Sequence, residues 1–326
     1  MQSSIRKSGW EEADVMREIR IGSRASELAI AQSNLVVGAI AKAYPEYRFK
    51  LVTMHTRGDR ELGRPMEDAG SGKDFFTDTL EEALRQGKVD LCVHSLKDLP
   101  EQFPEDLPVL AYSRREDPRD ALILPQDKTF CNFSQNHSPV GCSSARRRLQ
   151  LLTIAPWLQM AQIRGNVPTR IAKLDRGEYG AVVLAMAGLN RLGTSERASR
   201  IFSTEEIIPA AGQGILAVQG RRGEPHEYLD AVNDPVSALE AQAERELLCE
   251  LGCGCNSPAA AYAQIIGGVI LLSGMFAADA TSPMTRGRVW GNLEDAPRLI
   301  RTLAKKLLQE ACMPEIKQTA LGARQK

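Results

Sequence analysis

The stretch VDLCVHSLKDLP, residues 89–100, begins as an apolar run and ends in a polar turn. The run 89–95 predicts a strand buried on both faces, which is typical of parallel sheets covered by helices. Lys97 and Asp98 follow the strand directly, and Pro100 closes the turn. Because open α/β sheets bind ligands at the carboxyl ends of their strands, this stretch predicts an α/β fold with a ligand site at Asp98.

The segments on both sides of this strand alternate between strand and helix patterns. Upstream, the patterns predict a strand at 19–23, a helix at 26–45, a strand at 47–56 and a helix at 74–87; downstream, strand–helix pairs recur through 138–193. This alternation predicts βαβ units and mostly parallel sheets. The last third differs, since a helix over 234–252, with Asp234 as N-cap and Gly252 at its end, precedes strand-like runs at 259–277 and 284–291 and a helix at 295–312. We expect a small α+β domain there.

Composition excludes several classes of protein. The 326 residues carry 41 Lys and Arg against 41 Asp and Glu, and aromatic residues make up 5%. This balance disfavours nucleic-acid binding, which usually needs a basic surface and stacking rings. No apolar run is long enough to cross a bilayer, and the first 20 residues lack the apolar core of a secretion signal. We therefore expect a cytoplasmic protein whose seven cysteines are reduced thiols, with no membrane or nucleic-acid partner.

Asp98 and Lys97 have two open interpretations at this stage. A carboxylate next to an ammonium at a strand end can exchange protons with a ligand, with a pKa set by its surroundings. The same residues can also simply cap a turn, as short polar side chains often do.

Arginines follow several of the predicted strands. Ser143 and Ser144 begin a helix that carries Arg146 and Arg147, and helix amides with guanidinium groups bind carboxylates or phosphates well. Other strand–helix junctions supply Arg24, Arg164, Arg170 and Arg191. A solvated basic face explains one such cluster. Several at corresponding strand ends instead predict a cleft that binds a ligand with many carboxylates.

The cysteine-rich stretch CELGCGCNSP, residues 249–258, raises a separate question. The spacing of Cys249, Cys253 and Cys255 is not that of a zinc site and no histidine is near, so we expect no metal. Cys249 follows the helical pattern and is expected in the core. Cys253 and Cys255 lie in a glycine loop, where either an accessible, reactive thiol or an ordinary loop cysteine is possible.

Taken together, these stretches resemble the hydroxymethylbilane synthase family, also called porphobilinogen deaminase. The resemblance runs from about residue 19 to about residue 263 and rests on IRIGSRASELAIAQ, TRGD, VDLCVHSLKDLP, RREDPRDALI, GCSSARRRLQL, IRGNVPTRIAKLDRGEYG, AAGQGIL and ERELLCELGCGCNSP. It implies two lobes like those of periplasmic binding proteins, with mixed, mostly parallel sheets, and a small C-terminal α+β domain. The implied boundaries are 18–114 with 215–232 for the first domain, 115–214 for the second and 233–326 for the third, after an N-terminal extension at 1–17.

The resemblance also implies an activity. Members join four porphobilinogen molecules head to tail into the linear tetrapyrrole hydroxymethylbilane, with release of four ammonia, on a covalent dipyrromethane cofactor. Cys255 matches the cysteine that forms the thioether to the cofactor. Asp98 matches the central catalytic carboxylate, which stabilises the cation formed as ammonia leaves. A monomer is expected on the same ground.

The remaining matches are to groups that bind rings and carboxylates. Those implied for the cofactor are Lys97, Ser143, Ser144, Arg146, Arg147, Arg170 and Gln213, and those implied for the substrate and the growing polypyrrole are Arg24, Lys73, Phe76, Ser95, Arg164 and Arg191. Three departures stand out: Cys253 replaces a usual glycine, Cys142 a usual threonine, and Asp78 a frequent lysine. A non-catalytic anion-binding protein with the same two lobes is the alternative, but it would need neither Asp98 nor Cys255.

Overall fold

The computed structural model describes residues 17–56, 74–100, 102–126, 138–253 and 258–312. The strands are β1 Arg17–Arg24, β2 Tyr47–Met54, β3 Leu91–Ser95, β4 Val109–Tyr112, β5 Asp120–Ile123, β6 Val140–Gly141, β7 Met160–Ala161, β8 Ala181–Ala185, β9 Arg200–Ile201, β10 Leu216–Gly220, β11 Ala259–Ile266, β12 Val269–Phe276 and β13 Thr285–Asn292. The helices are α1 Glu27–Ala43, α2 Asp74–Arg85, α3 Ala145–Ile154, α4 Val167–Asp175, α5 Met186–Arg191, α6 Pro235–Glu250 and α7 Ala296–Cys312.

Several helices begin at a side chain that caps them. The Ser26 hydroxyl accepts a hydrogen bond from Ala29 N at 3.3 Å at the start of α1. Asn166 does the same for Thr169 N at 2.9 Å before α4, and Asp234 for Ser237 N at 2.8 Å before α6. These oxygens satisfy first-turn N–H groups that have no partner inside a helix. The predicted N-cap of α6 is confirmed.

Two five-stranded sheets have the same arrangement. The order is β2-β1-β3-β10-β4 in the first and β7-β6-β8-β5-β9 in the second. In each, the first three strands pair in parallel and the last three in antiparallel fashion. We call β1–β4 and β10 with α1 and α2 the first lobe, and β5–β9 with α3–α5 the second lobe.

The predicted α/β fold with mixed sheets is confirmed. The sheets are not mostly parallel, however, because half of the neighbouring strand pairs in each five-stranded sheet are antiparallel. The reason is that each lobe receives one strand from the chain as it crosses between lobes. Residues 113–119, the outgoing linker, lead from β4 into β5, and residues 202–215, the return linker, lead back into β10. Both crossing strands insert antiparallel to their neighbours.

The third domain, formed by α6, α7 and β11–β13, is the predicted small α+β unit. Its antiparallel sheet packs one face on the two helices around Leu247, Leu272, Leu303 and Leu307, all at most 1% exposed. Arg115 of the outgoing linker joins it to the lobes.

Arg115 donates to three groups. It donates to Glu240 at 3.0 Å, to Glu244 at 2.7 Å and to the Gln213 carbonyl at 3.0 Å. Glu244 also accepts from Gly212 N at 2.7 Å and Ala263 N at 2.8 Å. Burial alone would lower the pKa of Arg115, but Glu244 and Glu240 outweigh it and raise the pKa. Both linkers and the third domain thus meet at one buried ion cluster.

No helix in the described ranges is long and apolar enough to cross a membrane.

Candidate active site

The turn that carries Lys97 and Asp98 is fixed by its apolar neighbours. Leu96 and Leu99 are both fully buried on either side of these two residues, which form a single 3-10 turn after β3. Leu96 N also donates to the Ile215 carbonyl of the return linker at 3.0 Å. The polar side chains are therefore held at the carboxyl end of a parallel strand, as the sequence predicts.

A small cavity of about 50 Å³ opens beside Asp98 in the first lobe. Arg24 at the end of β1, Ser95 at the end of β3 and His94 contribute to its wall. Gln32 of α1 donates to the Ser95 hydroxyl at 2.8 Å, which fixes that side chain. The structure thus brings together three residues predicted for the site, Arg24, Ser95 and Asp98.

The two predicted serines of the second lobe both form hydrogen bonds with backbone groups. The Ser143 hydroxyl donates to the Ile163 carbonyl at 2.7 Å and accepts from Ile163 N at 2.9 Å, which joins the ends of β6 and β7. Ser144 is the N-cap of α3, where its hydroxyl accepts from Arg147 N at 3.4 Å. Cys142, just before them, is buried and donates weakly to the Ser144 carbonyl at 3.7 Å.

Arg146 and Arg147 converge on a carboxylate that sequence reasoning missed. Asp120, fully buried at the start of β5, accepts from Arg146 at 2.8 Å and from Arg147 at 2.7 and 3.1 Å. Burial alone would raise the pKa of Asp120, but the two guanidinium groups outweigh it and hold the pKa well below its usual range. The only sequence signal was an acid in RREDPRDALI, and a four-residue strand is too short for its periodicity to show which side is buried.

Lys97 connects the first lobe to this cluster. Its ammonium donates to the Gln213 amide oxygen at 3.2 Å, and Gln213 donates to Asp120 at 3.0 Å. Burial, with a smaller effect of Arg147, lowers the pKa of Lys97 to about 8. The predicted cofactor-binding side chains Lys97, Arg146, Arg147 and Gln213 therefore form one continuous polar network across the two lobes.

Two more of the predicted arginines in the second lobe donate to backbone carbonyls, one in the return linker and one in the β7–α4 turn. Arg191 donates to the Gly214 carbonyl at 2.5 Å, and Arg170 to the Gly165 carbonyl at 2.7 Å. Burial lowers the pKa of Arg191 to about 10, and burial with Arg147 lowers the pKa of Arg170. These guanidinium groups lie in surroundings that an additional anion would stabilise. The Arg164 carbonyl accepts from the Lys173 ammonium at 3.2 Å.

The structure overturns the expectation for Cys249 and decides between the two alternatives left open for Cys253. Cys249 is exposed, because the buried face of α6 is formed by Glu240, Glu244 and Leu247, and Cys249 falls outside that helical stripe. Cys253 is only 7% exposed and belongs to the core of the third domain, so it is not an accessible loop thiol. Lys73, the Phe76 side chain and Cys255 lie outside the described residues.

Comparison with known proteins decides the family. The model of the porphobilinogen deaminase dipyromethane cofactor binding domain matches residues 19–228, and that of the C-terminal domain matches 238–309. The chain belongs to the porphobilinogen deaminase family. The porphobilinogen deaminase of Ruminiclostridium cellulolyticum is 46% identical over 91% of this chain and 99% of its own. Those of Acetivibrio thermocellus and Geotalea daltonii are 44% and 39% identical, each over 90% of this chain and over 99% and 92% of their own.

Likeness to solved structures is more distant. The periplasmic aliphatic sulphonate binding protein SsuA from Escherichia coli aligns with 14% identity and a TM-score of 0.38, over 71% of this chain and 69% of that chain.

Membership of the porphobilinogen deaminase family confirms the predicted transferase activity, polymerisation of porphobilinogen, and the dipyrromethane cofactor. The described residues fit an anionic cofactor. The interacting cations of the network are Lys97, Arg146, Arg147 and Arg170. Against these four positive charges stand the two carboxylates Asp98 and Asp120, which leaves two positive charges in excess. A ligand that carries several carboxylates would neutralise this excess.

Proposed function

We propose that this chain is a hydroxymethylbilane synthase whose reaction takes place in the cleft between the two lobes, with Asp98 as its catalytic carboxylate. It condenses four porphobilinogen molecules head to tail on a dipyrromethane primer and releases four ammonia and the linear tetrapyrrole. The observation that carries the proposal is the polar network that links Lys97, next to Asp98 in the first lobe, to the arginines of the second lobe.

The cofactor supplies the covalent primer on which the chain of pyrroles grows. We assign its attachment to the Cys255 thiol, and the binding of its carboxylates to the Ser143–Arg147 segment with Lys97, Arg170 and Gln213. Since Arg146 and Arg147 already share Asp120, their role in this proposal is to set a positive potential at the cleft floor as much as to bind carboxylates directly.

Asp98 stabilises positive charge in this proposal. The aminomethyl group leaves from its protonated ammonium form as neutral ammonia, so the bonding electrons go with the nitrogen and the positive charge stays on the pyrrole ring. A carboxylate held rigidly by Leu96 and Leu99 needs little reorganisation to stabilise that charge, and such preorganisation is worth most in a site with little water. Arg24, Ser95, Arg164 and Arg191, with Lys73 and Phe76, are assigned to the incoming substrate and the growing chain.

The finer points of the proposal follow the resemblance. The enzyme is a monomer in the cytoplasm without a nucleic-acid partner. Its domains are 18–114 with 215–232, 115–214 and 233–326, which assigns both linkers to the boundaries between rigid units.

Asp98→Asn tests the catalytic assignment. The amide keeps the shape of the side chain but removes its charge, so turnover is expected to fall by about 10²–10³-fold while the fold is retained. The measurement is porphobilinogen consumption together with thermal unfolding. Asp230→Asn, which changes an exposed carboxylate in the turn that follows β10, is the matched control and should behave as wild type. Near-normal turnover of Asp98→Asn would remove Asp98 from the mechanism.

A further inference from the structure

His94 lies on the wall of the cavity beside Asp98 but has no role in the function proposed above. It is the fourth residue of β3, is only 7% exposed, and shares the cavity wall with Arg24 and Asp98. Burial lowers the pKa of His94 to about 4. The imidazole is therefore neutral at physiological pH, with one nitrogen that donates a hydrogen bond and one that accepts.

Gln219 of β10 determines which nitrogen carries the proton. Its amide NH₂ donates to Glu81 Oε1 at 3.1 Å and to the Leu107 carbonyl at 2.9 Å, so both of its N–H groups are used. Its Oε1 is buried and accepts no hydrogen bond from a described residue. Gln219 thus presents an acceptor that requires a donor.

His94 supplies that donor. Cys92 pairs with Gln219 in the β3–β10 register, and His94, two residues further along β3, points to the same side of the sheet. The Nε2 atom of His94 is itself buried and unpartnered within the described residues. The side chain of Gln219 lies close enough to raise the pKa of His94, against the larger lowering by burial. Gln219 Oε1 lacks a donor and His94 Nε2 lacks a partner, so the two atoms complement each other if Nε2 carries the proton.

The other ring nitrogen, Nδ1, is then an acceptor on a ring that lines the cavity. Nε2 is enclosed by protein, which leaves Nδ1 as the ring nitrogen available to a ligand in this inference. A cavity of about 50 Å³ has room for a few water-sized groups, since one water needs about 10–15 Å³ by this measure. It is too small for a pyrrole ring with two carboxylate arms but suits a single short polar group.

We propose that Nδ1 of His94 accepts a hydrogen bond from the aminomethyl ammonium group of incoming porphobilinogen, which makes His94 a specificity-determining residue for an aminated substrate. This inference rests on the proposed function. A neutral acceptor beside the Asp98 carboxylate gives the ammonium two different acceptors, while the carboxylate arms of the ring stay outside the cavity, near Arg24 at its wall and the arginines of the second lobe. A neutral imidazole also adds no positive charge that would repel the cation.

The test separates the two nitrogens of the ring. In His94→Asn, the short side chain can place an oxygen near the position of Nδ1; in His94→Gln, the amide reaches the position of Nε2 and the acceptor at Nδ1 is lost. We would measure the KM for porphobilinogen and the inhibition constant of an analogue with methyl in place of aminomethyl. His55→Gln, at an exposed position, is the matched control.

The expected result is selective. His94→Gln should raise the KM for porphobilinogen by roughly tenfold or more, as expected for loss of a hydrogen bond to a charged group, and leave inhibition by the methyl analogue unchanged. His94→Asn should bind porphobilinogen more tightly than His94→Gln. Equal weakening of substrate and analogue in His94→Gln, or no weakening of either, would overturn the inference.

A second readout needs no variant and no turnover. Nitrogen-15 NMR of the wild-type protein should show His94 neutral, with the proton on Nε2 and an unprotonated Nδ1. A proton on Nδ1 would overturn the inference even if the variants fail to fold. Failure of the wild-type protein to consume porphobilinogen at all would overturn the proposed function as well. Consumption by the wild type therefore tests the function, and the variants and the NMR spectrum test the role of His94.

Discussion

Asp120 is the residue on which the charge balance of the cleft depends. Within the described residues it is the one carboxylate that both Arg146 and Arg147 contact, and it also accepts from Gln213. Asp120→Asn keeps the size of the side chain but removes the carboxylate that two buried guanidinium groups share. Removing one partner from a buried ion cluster costs about 3–5 kcal/mol, so we expect a loss of that size in the free energy of unfolding.

Urea denaturation measures this loss, with the exposed Asp230→Asn as control. A free energy of unfolding for Asp120→Asn within about 0.5 kcal/mol of wild type, the spread usual for surface changes, would show that the arginines are compensated elsewhere.

His94 also makes stability depend on pH. Its pKa is about 4 in the folded chain against an ordinary value of 6.5, because burial disfavours the charged ring. Below pH 6.5 the unfolded chain takes up a proton at this position that the folded chain does not bind until about pH 4. Stability is therefore lost as the pH falls through this window, by about 2 kcal/mol between pH 7 and pH 5.

Urea denaturation at pH 7 and pH 5 checks this expectation. The difference in the free energy of unfolding between pH 7 and pH 5 should shrink by about 2 kcal/mol in His94→Gln, whose side chain does not titrate. An unchanged difference would mean that His94 is not held neutral by the fold.

At the scale of elements, the two linkers depend on close backbone contact. Gly214 has φ +94, and a Cβ placed on it would lie 2.3 Å from the Glu116 carbonyl oxygen of the outgoing linker. Backbone strain in Gly214→Ala should therefore lower the free energy of unfolding by about 1–3 kcal/mol. The total loss should be larger than this, because the Glu116 carbonyl must also move away from the new Cβ.

Gly38→Ala is the matched control for this change. Gly38 is an exposed residue of α1 with nothing within 4 Å of its Cβ position, so alanine should stabilise the chain by up to about 1 kcal/mol. Thermal unfolding of the two variants should move in opposite directions. A neutral Gly214→Ala would mean that the linkers separate easily.

The elements that sequence reasoning predicts well are those with local signals. The capped helix α6 and the strand β3 with its polar turn are confirmed because Asp234, Gly252 and the run 91–95 act through the backbone near them. β4 and β5 carry no such signal, since each has four residues and becomes a strand only because a neighbour pairs with it. Cys249 and Cys253 show the same limit, because burial depends on which side of α6 meets the sheet.

At the scale of the whole molecule, the two lobes repeat the same strand order, and the network from Lys97 through Gln213 to Asp120 links them. The sequence predicts that Arg24, Asp98, Arg147 and Arg170 follow strands, and parallel pairing brings such strand ends to one edge within each sheet. The contacts that bind the units together, from Arg115 to Glu240 and Glu244 and from Asp120 to two arginines, join residues 26 or more positions apart. Such pairs leave no periodic trace in a single sequence, so only the three-dimensional arrangement reveals them.

The most direct test of the account is the intact mass of the purified protein, alongside Cys255→Ala and the matched Cys253→Ala. We predict a dipyrrole-sized increment in wild type and in Cys253→Ala, whose thiol belongs to the core, and none in Cys255→Ala. An increment that persists in Cys255→Ala, or one lost only in Cys253→Ala, would contradict the assigned attachment site. A wild-type chain that shows no increment even after incubation with porphobilinogen would contradict the proposed function itself.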